Sequence, residues 1–241
     1  MSPLPRDAAA LAQAQRGVND VGSRGAVTAG KHLDAFIPLL SEVARLQGLK
    51  DVRFFAGRRV SVLPGYFRPT KEWDLIIMHG GQLAAAVELK SIGSSFGNNL
   101  NNRSEEAIGS AHDFWRAFRE GAFGANAPKP FLGWALIMNE CPASTSATQV
   151  KEPFFPVFTE FRGASYAQRA DILCRKLVLD NLYTAAALML TDEQDGKTHG
   201  SYRHLSEGTS FKRFLAVFAG HMTTLAAEAQ VGGSAIDLSP T

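Results

Sequence analysis

Cysteine is nearly missing from this chain: its 241 residues hold only Cys141 and Cys174. They stand far apart and form no C-x-x-C pair, which excludes a disulfide framework or a cysteine zinc cluster and points to a reducing, cytoplasmic compartment. An excess of one charge is also missing. Lys plus Arg number 25 against 23 for Asp plus Glu, a formal charge of +2. This excludes both a halophile-like acidic surface and a histone-like basic one, and permits a nucleic-acid partner without requiring it. The six histidines show neither the H-E-x-x-H spacing of a metalloprotease nor that of a C₂H₂ finger. Long apolar runs are absent: the most apolar stretch, Leu177–Leu190, is broken by Asp180 and Asn181 and falls short of the roughly 18 residues a membrane span needs. Ala8–Ala12 is too short and too weakly apolar for a signal-peptide core. Internal repeats are lacking as well.

What is present is material for a core, with 45% apolar and 20% charged residues, the mix of a soluble globular protein. Residues 1–30, rich in Ala, Gly and Arg, read as a weak helix and a loose segment. Residues 31–230 read as one α/β domain and 231–241 as a frayed tail. Leu33, Phe36, Ile37, Leu40, Val43 and Ala44 fall at helical spacing before Gly48, with Pro38 predicting a kink or a start nearby. Val52–Phe55, Val60–Leu63, Trp73–His79, Leu83–Lys90 and Phe131–Met138 read as strands. Gly97–Asn102 reads as an Asn-rich loop, with Asn102 capping a helix that carries the stripe Ile108, Ala111, Trp115 and Phe118. Helices over about Tyr166–Leu190 and Phe211–Ala227 complete an expected mixed sheet flanked by helices, with a helical C-terminal extension.

Asp74 and Glu88 are each embedded in a run that otherwise asks to be buried. A carboxylate in such a place needs a metal, a cation or a wet cleft beside it. Strand register decides whether the two meet, because side chains alternate faces. A two-residue Gly80-Gly81 turn sets Asp74 opposite Val87, whereas a three-residue loop through Gln82, or an equivalent bulge, sets it opposite Glu88. The second arrangement is expected. It brings the two carboxylates within about 5 Å at Cβ and puts Lys90 on the same face. Two carboxylates plus the backbone carbonyl of Leu89 make a hard-oxygen site for Mg²⁺, with a lysine beside it for phosphodiester hydrolysis. The structural alternative is a plain cross-strand ion pair between Lys90 and Glu72. A second acidic-x-Lys element, Asp195-Gly196-Lys197, lies in a polar stretch with no strand around it.

Asp74 with Glu88-Leu89-Lys90 is similar to the PD-(D/E)xK nuclease signature, with Trp73 standing where the motif has Pro. The surrounding text is more specific. Gly30–Phe36, Leu63–Asp74, Glu88–Ser91 and the long string Ser95–Ala111 resemble the XhoI-type type II restriction endonucleases, and the likeness runs over about residues 20–225. The resemblance implies a Mg²⁺-dependent homodimer that cuts double-stranded DNA within the palindrome CTCGAG or a close relative. Cutting after the first C would leave 5′ overhangs. It also implies a partner methyltransferase. Asp74, Glu88 and Lys90 carry over as the catalytic residues, and Glu42, an acid on the first long helix, is a candidate further metal ligand. For DNA contact the candidates are Asn98, Asn99, Asn101, Asn102 and Arg103, beside the catalytic strand, and Arg58, Arg59, Arg68 and Lys71, just ahead of Asp74. The basic and aromatic stretch Lys197–Lys212 reads as either a groove contact or a solvated connection. The competing functions are another PD-(D/E)xK nuclease that acts in repair or on junctions, and a DNA-binding module without hydrolytic activity.

Overall fold

The computed structural model describes residues 36–49, 51–57, 59–192 and 200–233. A five-stranded sheet runs in the order β1 (Val52–Ala56), β4 (Leu75–His79), β5 (Gln82–Ile92), β6 (Phe131–Asn139), β7 (Ala185–Thr191). The first three strands are antiparallel and the last three parallel. The sheet is therefore mixed, as expected. A second, two-stranded sheet pairs β2 (Val62–Pro64) with β3 (Thr70–Glu72) just ahead of β4.

Helices cover both faces. The crossovers α2 (Phe96–Arg119) and α4 (Tyr166–Leu179) join parallel neighbours and pack on one face through Ala107, Ala111, Phe114, Ala170 and Cys174. Both lie on the same face because each crossover moves one strand further in the same direction. On the opposite face α1 (Phe36–Leu46) and α5 (Phe211–Gly233) bring Leu40, Ala44, Phe214 and Phe218 against Leu75, Ile77, Val87 and Phe131. A short helix, α3 (Pro142–Thr145), follows β6. Buried on both sides, β6 and β7 read as near-continuous apolar runs. Gly133 in β6 has no room for a side chain, since a Cβ there would lie 2.6 Å from Phe131 and 2.8 Å from Phe214.

Three expectations change. The Asn-rich string is not a loop: α2 begins at Phe96 behind Ser95, which takes a left-handed φ of 48°, and Asn98–Asn102 form its first turns. The expected helix over Tyr166–Leu190 ends at Leu179, and Ala185–Thr191 is a strand. Alanine and leucine there fit a helix by propensity, but the parallel edge of β6 offers a ladder, and the turn at Asn181, φ 56°, breaks the helix. The last helix continues to Gly233, into the expected tail. Pro38 falls in the first turn of α1, where its missing N–H is unneeded. The segment 1–30, Arg58, the Asp195-Gly196-Lys197 element and residues 234–241 lie outside the described residues.

Candidate active site

The hairpin between β4 and β5 turns through Gly80 and Gly81 alone, with φ of 55° and 81°, and pairs His79 with Gln82. Two successive positive φ values are what a type I′ turn requires, and glycine supplies both without a Cβ clash. The expected three-residue loop is therefore not formed. The register shifts instead at a bulge between Ile77 and Met78: Met78 faces Leu83, but Ile77 faces Ala85 and Leu75 faces Val87. The extra residue, Ala84, does what a third loop residue would have done, because a bulge sets two residues on one strand against one on the other. The pairing leads to Asp74 opposite Glu88.

At that point the strands part. β4 begins at Leu75 and the chain before it turns away into the small sheet, while β5 continues to Ile92 along β6. The N–H of Leu89 has no β4 backbone to pair with, and the side chain of Asp74 accepts it at 2.7 Å. The N–H and C=O of one strand residue point to the same side, so the Leu89 carbonyl opens toward the same fork.

Glu88 is buried, and both of its carboxylate oxygens are held. Lys90 pairs with Oε1, and Lys71 donates to Oε2 at 2.7 Å. The Lys90 ammonium also lies 3.9 Å from Glu106 on α2, and Glu106 is tied to Arg103 at 2.6 Å. Lys90 does not face Glu72. The Glu72 carboxylate accepts the backbone N–H of Arg59 at 2.6 Å instead. Burial raises the pKa of Asp74 above the usual carboxylate range and the charge of Glu88 raises it further, with the Leu89 N–H, Lys90 and Lys71 opposing. Beneath the site Tyr183 is buried and donates to the Ala107 carbonyl at 3.1 Å, its phenol held neutral by burial and by Glu88.

The other candidates divide. Glu42 lies on α1, whose packing is with the opposite face of the sheet. Its exposed carboxylate is 3.7 Å from Arg45 and is not brought to Asp74 and Glu88. Glu106, which the sequence reading missed, is the helix acid that reaches the site, 3.9 Å from the Lys90 ammonium. Arg68 is engaged elsewhere: it donates to Asp113 at 2.8 Å and to Ser110 at 3.4 Å. Asp113 also accepts the N–H groups of Tyr66 and Phe67, each at 2.8 Å, and so fixes the loop ahead of β3. Gly65 sits against this carboxylate, where a Cβ would lie 2.6 Å from it. Along α2, Asn99 bonds to the Ser94 carbonyl at 2.7 Å and Asn101 to Glu105 at 2.8 Å. Asn98 and Asn102, one turn apart, are exposed. Tyr202 is exposed and Arg203 pairs with Glu140 and bridges to Leu190. Among the described residues no helix is long and apolar enough to cross a membrane.

A mixed sheet of this order, flanked by helices and carrying an Asp…Glu-x-Lys hairpin, has the restriction-endonuclease-like architecture. A family model described as restriction endonuclease XhoI matches residues 12–204, and the chain belongs to that family of type II restriction endonucleases. The type II restriction enzyme BstVI of Geobacillus stearothermophilus is 44% identical over 214 residues, covering 86% of this chain and 94% of the relative. The type II restriction enzyme XhoI of Xanthomonas vasicola is 49% identical over 160 residues, 66% of this chain and 64% of the relative. The type II restriction enzyme AbrI of Azospirillum brasilense is 44% identical over 151 residues, 62% of this chain and 67% of the relative. No solved structure gives a significant match.

Proposed function

We propose that this chain cleaves both strands of a DNA duplex at CTCGAG or a close relative, with Asp74, Glu88 and Lys90 as the catalytic residues and Mg²⁺ as the cofactor. The observation that carries the reading is the meeting of Asp74 and Glu88 at a fork between strands, with Lys90 on Glu88. The choice of CTCGAG rests on the resemblance to XhoI-type enzymes.

The donors suit the ion. The donor set is Asp74, Glu88 and the Leu89 carbonyl, and among the described residues no group of three His, Cys, Asp or Glu side chains gathers to hold a metal. Mg²⁺ takes hard oxygen donors and keeps several waters, which matches so sparse a protein contribution. Asp74 is buried beside the Glu88 carboxylate, and burial first and that charge second raise its pKa. Asp74, Glu88 and the Leu89 carbonyl would hold the ion, which would supply acidification of the attacking water and offset charge on the phosphate. Asp74 and Glu88 supply the anionic oxygens, while the Leu89 N–H fixes the rotamer of Asp74. Lys90 orients the attacking water and balances charge that grows on phosphorus. Water adds to phosphorus as the bond to the 3′ oxygen breaks, leaving a 5′-phosphate and a 3′-hydroxyl.

A palindrome cut symmetrically calls for two copies related by a two-fold axis, one site per strand. Asn98 and Asn102 are the best placed of the DNA-contact candidates, being exposed on one face of the helix that follows the catalytic strand, and asparagine suits adenine. Arg103, tied to Glu106, and Asn99 and Asn101, with partners of their own, are placed to support that face. A methyltransferase protecting the same sequence is the expected functional partner. Digesting a mapped duplex with Mg²⁺ and sequencing the ends tests the proposal. Breaks after the first C of CTCGAG, with 5′ overhangs, are expected. Nicks confined to branched DNA would favour a repair or junction nuclease, and binding without cutting would favour a non-catalytic module.

A further inference from the structure

Lys71 comes to the site from outside the Asp…Glu-x-Lys element, from the small sheet three residues ahead of Asp74. Its side chain is only 11% exposed. The ammonium donates to Glu88 Oε2 at 2.7 Å and to the Glu72 carbonyl at 3.0 Å, and it lies 4.3 Å from the centre of the Trp73 ring. With Lys90 on the other oxygen, each oxygen of the Glu88 carboxylate already carries an ammonium, so a metal at Glu88 has to compete with one of them.

We propose that Lys71 holds the place of the cation at Glu88 in the metal-free enzyme, so that loading the site exchanges this ammonium for the ion. The inference rests on the reading of Asp74 and Glu88 as the metal ligands. The carboxylates of Asp74 and Glu88 and the two ammonium groups already balance, Glu106 beside Lys90 is matched by Arg103, and the Glu88 and Lys71 side chains are largely buried. A divalent ion added to all four would leave uncompensated positive charge at low dielectric, so an ammonium has to withdraw. Lys71 is the one suited to withdraw. It already touches two neutral acceptors, the Glu72 carbonyl and the face of Trp73, and both keep it satisfied once it leaves Glu88. Lys90, on the same strand as Glu88, stays to face the water. Lys71 is thus a positioning residue that sets how readily the metal enters, in place of the phosphate contact expected from its sequence position.

Binding of Mn²⁺ to the full chain without DNA, followed by the electron paramagnetic resonance signal of the free ion, tests this apart from cleavage. Lys71→Met keeps the aliphatic stem on Trp73 and removes the charge, and it is expected to bind Mn²⁺ at least about fivefold more tightly than the wild type. Lys71→Arg, whose charge is retained on a bulkier head, is expected to bind more weakly than the wild type and serves if the Met variant does not fold. Glu88→Gln is expected to lose most of the binding. Unchanged or weaker binding by Lys71→Met, or tighter binding by Lys71→Arg, overturns the exchange while a loss in Glu88→Gln leaves the metal site standing. Unchanged binding in Glu88→Gln overturns the metal site itself and the exchange with it.

Discussion

Asp74 accepts one backbone N–H and faces a second carboxylate, whereas Asp113 accepts two backbone N–H groups and an arginine. Burial raises the pKa of both acids, but at Asp113 the bonds from Phe67, Arg68 and Tyr66 outweigh it and hold the group below the usual carboxylate range. The consequences for folding have opposite signs. A carboxyl whose folded pKa is raised binds more protons in the folded state, so its contribution to stability falls as pH rises from its unfolded value through its folded one. Asp74→Asn should therefore raise the melting temperature at neutral pH while abolishing cleavage, and the gain should fade as pH drops below the ordinary carboxylate range. Thermal melts across pH check this. Asp113 contributes stability above its unfolded pKa, and that stability is lost as pH falls through its lowered folded value. Asp113→Ala orphans two N–H groups and is expected to cost about 3 kcal/mol in urea unfolding at pH 7. Asp74 and Glu88 were legible in the sequence because each carboxylate is embedded in an apolar run, and Lys90 because it follows Glu88 by two residues on the same face. Asp113 gives the same kind of signal inside the Ala111, Phe114, Trp115 stripe, but its partners lie on a loop 45 to 47 residues away. Lys71 gave none, since its place depends on how the small sheet folds back over Trp73.

At the scale of elements, the meeting of the two acids was legible but the device was not. Alternation predicted that a shift of one residue was needed, and both a longer loop and a bulge supply it. Glycine at 80 and 81 satisfied the tightest turn, so the shift moved into the strand, where the small side chain of Ala84 tolerates it. The Asn-rich string misled because asparagine favours turns and caps in isolation. Here Phe96 and Leu100 bury themselves against the sheet and draw the first turns into the helix. The same burial leaves Asn98 and Asn102 outward. Replacing either by Ala is expected to weaken binding of a CTCGAG duplex by about 1–3 kcal/mol in a gel-shift with Ca²⁺. Folding should be unaffected or slightly improved, since alanine is the better helix former. An equal affinity in both variants would take these two side chains out of the interface.

For the whole molecule, the mixed order of the sheet places the fork that holds Asp74 and Glu88 where antiparallel pairing gives way to parallel pairing, at the middle strand. The α2 and α4 layer borders it on one face, and α1 and α5 back it on the other. Composition and strand spacing predicted this layering, and the family match agrees. They could not assign Ala185–Thr191, because a short apolar run reads as helix or strand until a neighbour is known. A two-fold reading of a palindrome predicts two copies per duplex. Sedimentation of the chain with a CTCGAG duplex in Ca²⁺ should give a 2:1 complex that weakens with added salt, and a stable 1:1 complex would contradict the dimer. Single-turnover cleavage of that duplex in Mg²⁺ is the most direct test of the site. Asp74→Ala, Glu88→Ala and Lys90→Ala should each slow the reaction by about 100-fold or more while the folded chain still binds DNA. A near wild-type rate from any one of them would contradict the assignment.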